Sequence, residues 1–209
     1  MSRAPLAVAL VAALVVAVAG CAPATESSSA GVSNTGADID VDTPQLRTIK
    51  EAAEIAACEP GDASQVEGGM PNVTLPCLGG GPDVNVAGLR GPMVVNLWAV
   101  WCTPCRKELP ILQQFHEKYG DRVPVLGIDY NDTQPEQALG LAKETGVTYP
   151  LLADPQARLD YKSPFPSLRG LPFLALVDAD GKVVHQEFVV IESLGQLEDL
   201  VEKHLGVTL

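Results

Sequence analysis

Aromatic residues are scarce in this 209-residue chain: Phe, Tyr and Trp together make up 5%. Basic residues are also short, 14 Lys and Arg against 26 Asp and Glu, leaving a formal charge of −12. A nucleic-acid binder needs a basic face to displace counterions from phosphates, so no nucleic acid is expected as partner. The same deficit disfavours electrostatic docking on anionic lipid. Charged residues amount to 19% against 46% hydrophobic, and the mean hydropathy is positive, which excludes wholesale disorder. No internal repeat is present. The length suits one ordinary domain with extensions, enough for a single substantial core. Five cysteines is an odd number, so simple pairing leaves one with a different task.

The one long apolar run, Ala4 to Gly20, comes directly after Arg3. Its length stands near the lower limit for a bilayer span and is somewhat long for the core of a signal peptide. The run ends in Val18-Ala19-Gly20-Cys21, which resembles a bacterial lipobox. There, small residues fit the peptidase and the cysteine thiol takes a diacylglycerol. The alternative is an uncleaved N-terminal anchor with an incidental cysteine. Either way the rest of the chain is expected outside the cytoplasm, anchored to the cell membrane, where disulfides persist. The expected organisation is a lipoprotein signal peptide over 1–20, a flexible Ala-, Ser-, Thr- and Gly-rich tether over 21–42, an N-terminal helix and loop over 43–71, and an α/β domain over 72–209.

Thr43-Pro44 reads as an N-cap and first helical residue, with Leu46, Ile49, Ala53 and Ala56 at helical spacing up to Cys58. From Asn72 onward, short strands are expected at Val73–Leu75 and Val84–Val86, then a buried strand at Met93–Trp98. A helix over Thr103–Tyr119, a strand over Val123–Ile128, a helix over Pro135–Thr145 and a strand over Tyr149–Leu152 come next. Phe173–Val177 and Lys182–Val189 flank Asp178-Ala179-Asp180-Gly181 as a hairpin. Ser193 caps a last helix that ends at Leu205-Gly206. This alternation predicts a central mixed sheet with helices on both faces.

Trp101-Cys102-Thr103-Pro104-Cys105 falls where the buried strand becomes a helix. Free N–H groups and the helix dipole favour a thiolate at such a terminus, lowering a thiol pKa from about 8.5 towards roughly 7. Two intervening residues put Cys105 one turn on, in reach of a mixed disulfide formed at Cys102. Pro104 costs little in a first turn whose N–H groups lack intrahelical partners. The chemistry indicated is thiol–disulfide exchange, with Cys102 an exposed nucleophile and Cys105 a buried resolving thiol. A zinc site built with Cys58 and Cys77, or a purely structural bridge, fits the spacing and setting less well.

Residues Val94 to Pro110, with Gly170-Leu171-Pro172-Phe173, resemble the thioredoxin superfamily, and within it the TlpA/ResA-like extracytoplasmic branch. The resemblance runs from about Asn72 to Leu205. It implies a thioredoxin fold with Pro172 in cis facing the cysteines, and a substrate-binding surface made by Trp101, Leu171 and Pro172. Pro110 matches the branch's helix-kinking proline. Two departures stand out. Asn96 occupies the place of a buried aspartate found in cytoplasmic relatives, and an amide transfers no proton. The resemblance assigns that task to Glu108, three residues past Cys105. The plainer alternative for Glu108 is a solvated glutamate beside Arg106 and Lys107. The second departure is Leu171, where Thr or Val is commoner.

Cys58 and Cys77 bracket a Gly- and Pro-rich loop and are read as a structural disulfide. The chain-entropy model assigns such a loop roughly 3 kcal/mol at most. A second redox pair is the alternative, although neither cysteine has an activating neighbour in the sequence. With Cys21 lipidated, all five cysteines have a role. A copper module using His185 expects three residues between its cysteines rather than two. A peroxidase needs Pro and Thr at fixed places before its cysteine, and neither Cys102 nor Cys105 has them. The expectation is therefore a membrane-tethered thiol–disulfide oxidoreductase, reducing protein disulfides such as those of apocytochrome c. An oxidase of the same fold is one alternative, because Thr103-Pro104 does not settle direction, and a copper-binding or chaperone module using the cysteine pair is the other. No cofactor or metal is called for. Protein disulfide or dithiol substrates, a membrane electron-transfer partner and a monomeric state are expected.

Overall fold

The structure, a computed structural model, describes residues 39–61 and 63–209. The expected leader 1–20, Cys21 and the tether as far as residue 38 lie outside the described residues.

The chain enters through α1 (Pro44–Ala52), capped by Thr43 Oγ1, which accepts from the Leu46 amide. A two-stranded antiparallel ribbon, β1 (Thr74–Leu75) and β2 (Val84–Asn85), runs into a 3-10 turn, Val86–Gly88. Then come β3 (Met93–Trp98), α2 (Thr103–Tyr119), β4 (Val125–Tyr130), α3 (Pro135–Glu144), β5 (Leu151–Asp154), β6 (Phe173–Val177), β7 (Val183–Glu187) and α4 (Leu194–Leu205). The main sheet has the order β5-β4-β3-β6-β7, with β3–β4 and β4–β5 parallel and β3–β6 and β6–β7 antiparallel. It is the expected central mixed sheet.

The two-residue period of the strands divides the core. Val94 and Trp98 of β3, Val125 of β4 and Leu174 and Leu176 of β6 face a layer containing Leu46, Leu109, Leu112, Leu139, Leu197 and Val201. Each of α1 to α4 contributes to that layer. Moving from β3 to β4 to β5, two right-handed crossovers in one direction leave α2 and α3 on the same face. The other face carries Val95, Leu97, Ile128, Phe173 and Ala175. It is closed by the ribbon, the 3-10 turn and the turn-rich stretch 155–170, whose Leu159, Phe165 and Leu168 are buried there. Among the described residues, helical cover on this second face is thus a single 3-10 turn. Asp154 anchors the stretch: its buried carboxylate accepts from the amides of Arg158 and Leu159.

Element ends depart from the expected bounds for local reasons. α1 stops at Ala52 rather than reaching Ala56, because Glu54 takes a left-handed backbone (φ 55°) and the Ala56 amide turns to the Thr148 carbonyl. Ile55, not Ala56, is the residue buried there. β2 ends at Asn85, whose side chain accepts from the Ala87 amide and starts the 3-10 turn. β4 and β5 begin two residues late, after Pro124 and Pro150, which have no N–H to give a ladder. Segment 43–71 packs onto the domain: Leu46 lies in the helical layer, and the Val183 amide donates to the Gly68 carbonyl.

Candidate functional site

β3 ends at Trp98, and a short loop on, Cys102 becomes the N-cap of α2, in extended conformation with its Sγ 3.2 Å from the Cys105 amide. That contact satisfies one of the first-turn N–H groups which otherwise lack a partner. The Cys102 amide donates to the Ala99 carbonyl and the Arg106 amide to the Cys102 carbonyl, so both ends of the turn are held. Cys102 and Cys105 are joined as a disulfide. Cys102 is only 4% exposed, against the expectation of an open nucleophile, because its side chain folds over the helix end. Trp101 beside it is 51% exposed. α2 continues through Pro110 to Tyr119.

Asn96 lies between Val94 and Trp98, on the face of β3 that α2 covers. Its Nδ2 donates to Oε1 of Glu108 at 2.7 Å, while the Ile191 amide donates to Oε2 at 3.1 Å. Glu108 is fully buried, whereas Arg106 and Lys107 are exposed. Burial raises the Glu108 carboxyl to about 7, with the Ile191 and Asn96 hydrogen bonds holding it from going higher. The carboxyl therefore exchanges its proton near neutral pH. Asn96 Oδ1 is buried without a partner. A half-turn of that amide lets it accept from the protonated acid, so Asn96 serves both charge states. The Tyr149 hydroxyl and Trp98 indole N–H are likewise buried without partners, and Tyr149 feels the Glu108 charge.

Pro172 is in cis to Leu171, and β6 sets it beside the same loop: Phe173 pairs with Leu97, one residue before β3 ends. Gly91-Pro92 and Ser163-Pro164 are also cis, and no motif in the sequence marks either. Next to Pro172 lies an open cleft of about 370 Å³, lined by Arg169, Leu171, Phe188 and Val190. Phe188 is 50% exposed and packs on Phe173 at 4.9 Å between ring centroids.

Sequence reasoning missed a pair of acids under the loop. Asp132 Oδ2 accepts from the Val100 amide at 2.7 Å and Oδ1 from the Gln134 amide, while the Trp101 indole donates to the Asn131 carbonyl. Both Asp129 and Asp132 are buried. Burial, and then the neighbouring Asp132 carboxylate, hold the Asp129 carboxyl well above the ordinary range. The available signal was their position: polar residues at the carboxyl end of a parallel strand, where α/β sheets place their sites.

Away from this region, Cys58 and Cys77 form a second disulfide. His185 engages Glu187 at 2.9 Å and stacks on His204 at 3.9 Å. Among the described residues no group of three or more His, Cys, Asp or Glu is arranged to hold a metal ion.

Residues 66–186 match the AhpC/TSA family. The thiol-disulfide oxidoreductase ResA of Bacillus cereus is 28% identical over 125 residues, 59% of this chain and 69% of that protein. The thiol:disulfide interchange protein CycY of Rhizobium leguminosarum bv. viciae is 32% identical over 132 residues, 60% of this chain and 67% of its own length. Among solved structures, that of a putative protein disulfide isomerase from Bacteroides thetaiotaomicron superposes with a TM-score of 0.54 at 32% identity. The match covers 72% of this chain and 96% of the other.

Proposed function

This chain belongs to the AhpC/TSA family and has a thioredoxin-like fold, and on that premise we propose that it is a thiol–disulfide oxidoreductase acting on protein thiols through Cys102 and Cys105. The observation that carries the reading is the Cys102–Cys105 disulfide at the N-cap of α2, three residues from a buried carboxyl that titrates near 7. The names of ResA and CycY support the same reaction class.

In the reducing direction the Cys102 thiolate attacks one sulfur of a substrate disulfide. That bond breaks, the substrate's other sulfur leaves with the electron pair, and a mixed disulfide forms. Cys105 gives up its proton and attacks Cys102 Sγ. The substrate's second sulfur departs, and the Cys102–Cys105 disulfide closes. Two electrons pass to the substrate. Ionised Glu108 takes the Cys105 proton in this step and returns it in the reverse one, over the i,i+3 spacing of a single helix face. Trp101, Leu171 and Pro172 contact the substrate: the cis-proline has no N–H, which leaves the adjoining backbone open to an extended segment.

The finer reading is a membrane-tethered reductase outside the cytoplasm, lipidated at Cys21, supplied with electrons by a membrane partner. Haem-binding cysteines of apocytochrome c are the substrate class. The reduced protein is expected to open the disulfide of a Cys-x-x-Cys-His peptide, with one peptide disulfide lost per Cys102–Cys105 formed. No transfer with correctly folded, reduced protein would overturn the proposal. An equilibrium lying towards peptide oxidation would instead make the protein an oxidase.

A further inference from the structure

Lys50 is buried in the last turn of α1, with its Nζ 2.9 Å from Cys77 Sγ and 2.8 Å from the Gly80 carbonyl oxygen. A buried ammonium is costly unless an opposite charge faces it. Among the described residues Lys50 forms no salt bridge; Asp42, an acid whose charge acts on it, is bound at 2.6 Å by Arg47. A disulfide sulfur is neutral and a weak acceptor. The cation is therefore poorly matched to the oxidised pair and well matched to a Cys77 thiolate.

The loop around it is shaped for this contact. Gly79 and Gly81 both have positive φ (76° and 130°). A Cβ on Gly79 would stand 2.9 Å from Lys50 Cβ, and one on Gly81 3.3 Å from Cys77 Sγ. Glycine there lets the backbone close over the ammonium and aim the Gly80 carbonyl at it. The partner sulfur has the opposite setting. Cys58 Sγ lies 3.3 Å from the Leu151 carbonyl oxygen, a site for a neutral S–H to donate. It also borders an apolar cavity of about 220 Å³, lined by Val84, Leu89, Met93 and Leu126.

We propose that Cys58–Cys77 is a second reducible disulfide, opened by a small dithiol that attacks Cys58 and expels Cys77 as a thiolate onto the Lys50 ammonium. One thiolate of the dithiol bonds to Cys58 Sγ as the S–S bond breaks, and the electron pair passes to Cys77. The second thiolate then closes the reductant's own disulfide and releases Cys58, which takes a proton and donates to Leu151. Two electrons enter the protein and one proton is released to solvent. A lysine neighbour lowers a thiol's pKa, a less basic sulfur leaves faster, and stabilising the reduced form makes a disulfide easier to reduce.

The test removes the α2 pair, so it is independent of the reaction proposed for Cys102. The full-length chain with Cys102→Ser and Cys105→Ser is equilibrated with mixtures of reduced and oxidised dithiothreitol. Acid-quenched alkylation and peptide mass mapping report Cys58 and Cys77, and circular dichroism reports the fold. Both cysteines are expected to open while the fold persists. Lys50→Met should require at least a tenfold more reducing ratio, and Lys50→Arg should stay near the parent. A Lys50→Met titration equal to the parent's, or opening only in denaturant, overturns the proposal. In the same background with Cys21→Ser added, Cys58→Ser leaves Cys77 the one remaining cysteine, and its thiolate absorbance should titrate at or below about pH 7.5 rather than at about 8.5. An ordinary Cys77 titration overturns the proposal even if Lys50→Met does not fold.

Discussion

The Asn96 amide of β3 donates to the Glu108 carboxylate of α2 across 2.7 Å, with both side chains shut off from solvent. A carboxyl in that position is reached by only two donors, Asn96 and the Ile191 amide, and by no cation within ion-pair distance among the described residues. Desolvation therefore outweighs hydrogen bonding, and the proton is held to about pH 7.

Stability acquires a pH dependence of definite sign from this carboxyl. The folded state keeps the Glu108 proton up to about 7, whereas the ordinary value for an unperturbed glutamate is 4.5. Between these pH values the native state binds more protons than the unfolded chain, so raising the pH costs stability. The penalty is absent below the lower value and complete above the upper one, at roughly 3 kcal/mol. Urea unfolding of wild type and Glu108→Gln across pH 4 to 8 should show the variant gaining relative stability through this window. Parallel profiles would mean that the carboxyl does not titrate there.

Exchange kinetics should report the same proton. Glu108→Gln is expected to lower the Cys105 pKa, since a nearby negative charge is removed, and to slow mixed-disulfide resolution near neutral pH. General acid–base assistance is typically about 10²–10⁴-fold, and that is the scale of slowing expected from a carboxyl shut off from solvent. Unchanged thiol titration together with an unchanged resolution rate would leave water as the proton carrier.

The two acids under the loop should behave differently. Asp132 accepts the Val100 and Gln134 amides, so Asp132→Ala is expected to cost about 1–3 kcal/mol by stranding them. Asp129 has a buried Oδ1 with no partner and faces Asp132, so Asp129→Asn should be neutral or stabilising near pH 8. Equal destabilisation by both substitutions would show that Asp129 supports the loop as Asp132 does.

Division of labour between the cysteines is read by trapping. Cys105→Ser should accumulate mixed disulfides through Cys102, because attack proceeds but resolution cannot. Cys102→Ser should accumulate none, with Cys105 fully buried. Equal trapping by both variants would reverse or abolish the assignment of the nucleophile.

The proposed lipidation of Cys21 has a direct check. Labelled fatty acid should enter the full-length protein in a bacterial host and be lost with Cys21→Ser. Equal labelling of the variant would remove Cys21 as the acceptor.

Local pattern carried a good deal of this molecule. Met93–Trp98, Thr103–Tyr119 and Phe173–Val177 lie where hydrophobic period, caps and hairpin signals put them, because those signals act within a few residues. Where a proline intervened, the apolar run continued while the hydrogen-bond ladder did not, and the strand ends shifted at Val125 and Leu151. The Cys102/Cys105 pair was legible because strand end, helix start and both sulfurs fall within eight residues.

By itself, then, the sequence determined the order of the elements, the helix-capping dithiol and the net negative charge. Only tertiary structure decided what surrounds each polar group. Glu108 looks like its exposed neighbours Arg106 and Lys107 until α2 is laid on β3 and Asn96 and Ile191 close around it. Asp132 meets Val100 across thirty-two residues, and Lys50 meets Cys77 across twenty-seven. Burial and electrostatic pairing depend on distances between segments remote in the chain, and hydrophobic period encodes which face a residue takes, not which partner it finds there.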